Sequence, residues 1–234
     1  MKTIGLIGGT SWESSIEYYR ILNETVKDKL GGLHSAKCLM NSVEFQEVVD
    51  LMQSGNWEAL SILMQSAARV VKNGGADFLL ICSNTLHRYA SAIEESIGIP
   101  VHGIADAAAH EIKKTGLQKV GLLGTKYAME GDYYKNTLQG RYGIETIIPG
   151  KDDRERIDSI IFKELCVGVI NDDSRRILVD IINQLHSKGA EGIVLGCTEI
   201  PLLIKQKDVN IPVFDTMTIH ATSAVEKALE SSIV

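Results

Sequence analysis

Three short phrases recur in the same order in the two halves of this chain, and a duplicated phrase constrains the chain to a duplicated fold. Ile4-Gly5-Leu6-Ile7-Gly8-Gly9 is echoed by Val120-Gly121-Leu122-Leu123-Gly124-Thr125. Gly75-Ala76-Asp77-Phe78-Leu79-Leu80-Ile81-Cys82-Ser83-Asn84 is echoed by Gly189-Ala190-Glu191-Gly192-Ile193-Val194-Leu195-Gly196-Cys197-Thr198, at an offset of 114 (197 − 83). Ile99-Pro100-Val101 returns as Ile211-Pro212-Val213 at an offset of 112 (212 − 100). Any two βαβ units share some Gly-Ala-acid-apolar wording, but unrelated units have no reason to keep one order and nearly one spacing. The chain therefore reads as two similar α/β halves, residues 1–99 with 212–234 and residues 100–211.

Short apolar runs alternate with longer helical patterns, as in βαβ units built on parallel sheets. In the first half, 4–7, 37–42 and 78–82 read as strands. Residues 12–30, 58–73 and 91–97 read as helices, the last two stopped by Gly74-Gly75 and by Gly98. Ile99-Pro100-Val101 opens a further strand. In the second half, 119–123 and 192–195 read as strands, and helices are expected from Glu130 and over 151–166 and 175–188. A short strand starts at Ile211-Pro212-Val213, and a last helix covers 218–230. The expected fold is α/β: two Rossmann-like halves with parallel sheets, related by a pseudo-twofold, with the active site in the cleft between them. In open α/β sheets, ligands meet residues just past the carboxyl ends of the strands. Ser83 and Cys197 both stand there, at equivalent places. Two groups approaching one ligand from opposite sides can take a proton from one face of a carbon and return it to the other.

Composition narrows the partners. With 234 residues, 44% hydrophobic and 23% charged, the chain can bury a core without disulfides or metals. Its formal charge of −6 and lack of a basic run argue against nucleic acid and anionic membranes. An anionic substrate would need local donors, and helix N-termini are the usual source. Cys38, Cys82, Cys166 and Cys197 are scattered without CxxC spacing, and the six histidines form no HExxH pair, so no metal is expected and a reducing compartment fits. A strand-like start without a signal-peptide core, and the lack of a spanning apolar stretch, place the chain in the cytoplasm as an expectation. Gly5, Gly8 and Gly9 suggest a dinucleotide loop, but GxGxxG is absent. His87 reads as a capping or packing residue; His102 follows the Ile-Pro-Val strand and could orient a partner, but Phe214 holds the equivalent place in the other half.

Several of these segments resemble the cofactor-independent aspartate/glutamate racemase family: the N-terminal Ile-Gly-Leu-Ile-Gly-Gly-Thr-Ser-Trp-Glu-Ser, Cys82-Ser83-Asn84-Thr85-Leu86-His87 and Gly196-Cys197-Thr198-Glu199-Ile200. The resemblance extends through Leu123-Gly124-Thr125, Glu164-Leu165 and residues 212–215, along essentially the whole chain. It implies an amino-acid racemase that uses no pyridoxal phosphate, metal or nucleotide, and commonly a homodimer. The family usually sets two cysteines on opposite faces of the substrate α-carbon, in a C-N-T and a G-C-T segment. Cys197 matches the second. Ser83 stands where the first is usual, as in a branch with a hydroxyl residue there. Cys82 is one residue too early, so on a strand it should face the other way. The resemblance also implies Asn84, Thr85 and Thr198 as contacts to the α-carboxylate, with Thr10 and Thr125 in the repeat-related loops as second contacts. Some aspartate-specific relatives carry a basic residue just before the glycine at Gly168; here Cys166 and Val167 stand there, with Lys163 one turn earlier.

The two proton-transfer positions are chemically unequal. A free thiol has a pKa of roughly 8.5, and helix dipoles are expected to make Cys197 substantially thiolate. A serine hydroxyl is far less acidic and needs help to act as a base. Cys197 is thus the expected main acid–base group and Ser83 a proton relay. Three readings stay open from the sequence: a racemase of aspartate or glutamate, a single-cysteine decarboxylase or cis–trans isomerase of a dicarboxylate, and a catalytically impaired binder of small dicarboxylates.

Overall fold

The repeated Gly-Ala-acid phrase does one structural job twice. In a computed structural model of the chain, which describes residues 1–230, Gly75 and Gly189 adopt φ of +100° and +93°, a region that side chains disfavour. Each turns the chain out of a helix, and Ala76 and Ala190 are buried next to them. The acid that follows accepts from the first amides of the neighbouring strand. Asp77 takes Thr3 N at 2.5 Å, and Glu191 takes Gln118 N and Lys119 N at 2.7 and 3.0 Å.

The chain divides into two compact units. One comprises Met1–Gly103 and the segment from His220 onward. It holds β1 (Ile4–Gly8), α1 (Trp12–Leu30), β2 (Cys38–Ser42), α2 (Phe45–Gln53), α3 (Trp57–Asn73), β3 (Phe78–Ile81), a 3₁₀ turn at Thr85–Tyr89 and α4 (Ala90–Ile97). The sheet order is β2-β1-β3, all parallel, with Val101 bridging Leu79 beyond β3. β1 and β3 are buried along their whole length, which is why both read as unbroken apolar runs.

The other unit is Ile104–Ile219. It holds α5 (Ile104–Thr115), β4 (Lys119–Gly124), α6 (Lys126–Glu130), α7 (Asp132–Lys135), β5 (Glu145–Ile147), α8 (Lys151–Lys163), α9 (Asp172–Ser187), β6 (Gly192–Gly196), α10 (Ile200–Leu203), β7 (Val213–Asp215) and the start of α11 (Thr216–Leu229). Its sheet runs β5-β4-β6-β7, again all parallel. The order repeats that of the first sheet, with β7 in the place of Val101. Leu79 pairs with Val101 as Ile193 pairs with Val213. Among the described residues, no helix is long and apolar enough to cross a membrane.

Several details differ from the sequence-based expectations. The units divide after residues 103 and 219, where the sequence reading put the divisions after 99 and 211. The reason is pairing: residues 213–215 join β6, while residues 100–102 bond to Leu79. The strand expected from Ile99 is a single bridge. The helix expected over 151–166 ends at Lys163 and gives way to a 3₁₀ turn at Leu165–Val167. The helix expected from Glu130 is broken into α6, α7 and a π-helical turn at Asn136–Arg141. α2, α5 and β5 were not anticipated from the sequence; α5 buries Ala105, Ala107, Ala108 and Ala109 together with Ile104 and Ile112.

The glycine in the middle of each first strand has a packing cause. A Cβ on Gly5 would lie 2.5 Å from Val71 Cγ1 and 2.6 Å from Leu79 Cδ2; one on Gly121 would lie 2.8 Å from Ile193 Cδ1 and 2.9 Å from Leu185 Cδ1. A helix side chain, from α3 or α9, sits directly on each glycine. Gly5→Ala is therefore expected to destabilise the protein by about 1–3 kcal/mol through overpacking. Urea unfolding checks this: the midpoint should fall while the slope stays constant.

Candidate active site

β1 and β3 are adjacent parallel strands, with Ile7 opposite Ile81, so the loops after them leave from the same end of one sheet. Gly9 opens the first loop with φ of +89°, and a Cβ there would lie 2.2 Å from Val43 O. Its amide donates to Ser15 Oγ at 2.9 Å, and Ser15 Oγ donates to Ser11 O at 2.7 Å. Thr10 follows, only 7% exposed, and its Oγ1 has no hydrogen-bond partner among the described residues. A buried hydroxyl left so is costly unless something else meets it.

In the neighbouring loop Ser83 and Asn84 are buried and Thr85 is half-buried. Ser83 Oγ accepts from Leu86 N at a long 3.4 Å, and Ser83 O accepts from His87 Nδ1 at 2.7 Å. Cys82 is fully buried, and burial pushes its thiol far above the usual range, so it is an inert core group.

The second unit repeats the arrangement. β4 and β6 are adjacent, with Gly124 opposite Gly196, so the Thr125 and Cys197 loops also share one sheet end. Thr125 caps α6, its Oγ1 accepting from Ala128 N at 3.2 Å. Cys197 is buried, and its Sγ donates to Glu199 Oε2 at 2.9 Å. Thr198 Oγ1 donates to that same oxygen at 3.1 Å, and both Thr198 and Glu199 are buried. The Thr198 hydroxyl expected to meet a carboxylate ligand thus already serves the protein's own carboxylate.

These surroundings reverse the expected charge state of Cys197. Burial raises its pKa well above the usual thiol range, and the Glu199 charge, Cys166 and the hydrogen bond to Glu199 push the same way. A backbone N–H of Glu199 opposes this with a smaller effect. α10, the helix after Cys197, is only four residues long, so little dipole is available to stabilise a thiolate. Cys197 is a thiol here. Glu199, which the sequence reading placed in the same segment but gave no role, is the group positioned to take its proton.

Tyr134 is a further buried neighbour. Thr216 Oγ1 donates its one hydrogen to Leu195 O at 2.7 Å, so in the hydrogen bond between Tyr134 and Thr216 the tyrosine hydroxyl donates to Thr216 Oγ1. Tyr134 also interacts electrostatically with Cys197, and burial raises its pKa. Its counterpart 116 residues earlier (134 − 116 = 18) is Tyr18, equally buried in the first unit. Among the described residues, no three His, Cys, Asp or Glu side chains are grouped so as to hold a metal.

Known proteins share both fold and sequence with this chain. A structure of a candidate Asp/Glu racemase from Yersinia pestis is 47% identical and covers 98% of this chain and 100% of its own, with a TM-score of 0.90. The structure of an aspartate racemase homologue from Pyrococcus horikoshii OT3 is 36% identical, with the same coverages and a TM-score of 0.84. A glutamate racemase from Fusobacterium nucleatum is 24% identical over 215 residues, 86% of this chain and 77% of the other. Residues 7–224 match the family described as Asp/Glu/hydantoin racemase, and the chain belongs to that family.

Proposed function

We propose that this protein is a cofactor-independent racemase that interconverts the L and D forms of aspartate, glutamate or both. It falls in a branch with a hydroxyl residue in the place of the first cysteine. Cys197 exchanges a proton with one face of the α-carbon and Ser83 with the other. The observation that carries this reading is the buried Cys197 thiol bonded to Glu199 at 2.9 Å, just past the end of β6. Ser83 stands at the corresponding place past β3. Glu199 accepts the thiol proton, leaving a thiolate that removes the α-hydrogen. The planar carbanion is stabilised by hydrogen-bond donors around its carboxylate, supplied by Asn84, Thr85, Thr10 and the backbone of the Cys197-Thr198 turn. Ser83 then delivers its hydroxyl proton to the opposite face, and the proton held on Glu199 returns through solvent to the Ser83 alkoxide, which restores the resting state. Enantiomers have equal free energy, so kcat/KM must be the same in both directions, whatever the difference in acidity between the two groups. A cytoplasmic homodimer completes the proposal. Four cysteines without a disulfide suit a reducing compartment, and sedimentation of the purified protein checks the dimer.

The decisive experiment incubates the protein with each enantiomer of aspartate and of glutamate in D₂O, following optical rotation and α-deuterium by NMR. The expected result is inversion, with deuterium entering the product isomer as it forms. No exchange with any of the four amino acids would overturn the reading.

Thr10 offers a narrower test. Thr10→Val removes a hydroxyl that has no protein partner among the described residues, so stability should hold or rise slightly. If that hydroxyl binds the substrate carboxylate, KM should rise about tenfold, as expected for losing one hydrogen bond to a charged group. Unchanged KM would remove Thr10 from the site.

A further inference from the structure

His87, His102 and His220 come from segments far apart in sequence, and the fold of the first unit stacks them together. His102 and His220 lie parallel, with centroids 5.4 Å apart and planes at 12°; His87 meets His220 edge-on at 5.3 Å. His87 and His220 are buried, and burial holds the His220 ring neutral.

The partners fix which nitrogen of each ring carries a hydrogen. A backbone carbonyl has no hydrogen to give. His87 faces two carbonyls, Ser83 O from Nδ1 at 2.7 Å and His102 O from Nε2 at a long 3.4 Å; a neutral ring carries one hydrogen, and the shorter contact places it on Nδ1. His220 Nε2, 2.8 Å from His102 O, is N–H for the same reason, so its Nδ1 accepts from Tyr18 OH at 2.9 Å. Ser223 Oγ donates its one hydrogen to His220 O at 3.0 Å, so His102 Nε2 donates to Ser223 Oγ at 2.8 Å. Every ring is thus locked by a partner that is itself held.

Only one of these bonds reaches the proposed chemistry, and it reaches Ser83. The residue equivalent to His87 in the other half, at the offset of 114 that relates Cys197 to Ser83, is Pro201 (201 − 87 = 114), which has no side-chain donor. The ring therefore stands only on the half where the proton carrier is a hydroxyl. A hydroxyl cannot be ionised in advance as a thiol can, so its contribution depends more heavily on position.

We infer that His87 is a positioning residue for Ser83: its Nδ1–H, held by the stacked His102–His220 pair and Tyr18, fixes the turn that presents the hydroxyl to the substrate. This inference rests on the racemase reading above. It makes the His87 effect one-sided, confined to the enantiomer whose α-hydrogen Ser83 removes.

The test measures α-deuterium exchange of each enantiomer in D₂O for the parent protein and for His87→Ala, His87→Asn and His87→Gln. The amide nitrogen of asparagine falls near the place of Nδ1, and that of glutamine near Nε2. Exchange of one enantiomer should fall at least tenfold in His87→Ala and His87→Gln, through kcat with KM within twofold. Exchange of the other should stay within twofold, and His87→Asn should recover most of the loss. Equal losses for both enantiomers, no loss, or better rescue by glutamine than by asparagine would overturn the inference while leaving the racemase reading in place. No exchange in the parent would overturn both. Long-range ¹H–¹⁵N spectra of the unsubstituted protein give a check that needs no variant. They should show His87 as the Nδ1–H form and His102 and His220 as Nε2–H; an Nε2–H His87 overturns the inference.

Discussion

Cys197→Ala is expected to lower kcat/KM for racemisation by about 10³-fold, the middle of the range for a lost general acid–base group. In the proposed reaction the thiol is the proton carrier on its side, and the Glu199 carboxylate is bonded to it. The substitution should leave one activity behind. Ser83 can still remove a proton from one enantiomer and return solvent deuterium to the same face, giving exchange without inversion. The other enantiomer should be inert on both measures. Cys197→Ser should share most of the loss, because a hydroxyl in the same buried, acidic surroundings is harder still to ionise. Polarimetry with NMR on both enantiomers checks this, and circular dichroism confirms folding. Inversion retained to within tenfold of the parent would rule out Cys197 as a proton carrier.

What the sequence revealed, and what it concealed, follows from how far apart the interacting residues lie. β1, β3, β4 and β6 were legible because strands buried on both faces leave unbroken apolar runs. The duplication was legible because identical jobs select identical residues: Gly75 and Gly189 need the same φ, and Asp77 and Glu191 cap the same strand edge. The equivalence of Ser83 and Cys197 follows from that register alone. The charge state of Cys197 was not legible. It depends on burial and on a carboxylate two residues on, whose side chain turns back to the sulfur only in the folded turn. Thr198 and Thr125 were legible as residues of the right loops; that one bonds Glu199 and the other caps α6 shows only in the folded turns. The histidine cluster left no motif, because His87, His102 and His220 span 133 residues (220 − 87 = 133) and each alone resembles a packing residue.

Glu199→Gln separates two roles that the same hydrogen bond could play. If Glu199 only restrains the thiol, its removal takes away a negative neighbour and a thiol-stabilising acceptor. The Cys197 pKa then falls and activity at neutral pH holds or rises. If Glu199 is the proton acceptor, the thiolate forms by transfer within the pair, at no change in net charge, and the variant loses that route. Burial decides between them, because it is the largest cause of the raised thiol pKa and persists in the variant. With glutamine in place, Cys197 remains a thiol at pH 7 and can ionise only by losing its proton to solvent. The expected result is a loss of about 10²-fold in kcat/KM at pH 7, at the lower end for a general base. The deficit should shrink about tenfold for each pH unit above neutrality, as hydroxide replaces the missing carboxylate, while the parent profile stays flatter over the same range. A variant as active as the parent at pH 7 would reduce Glu199 to a restraint and leave the thiolate to arise some other way.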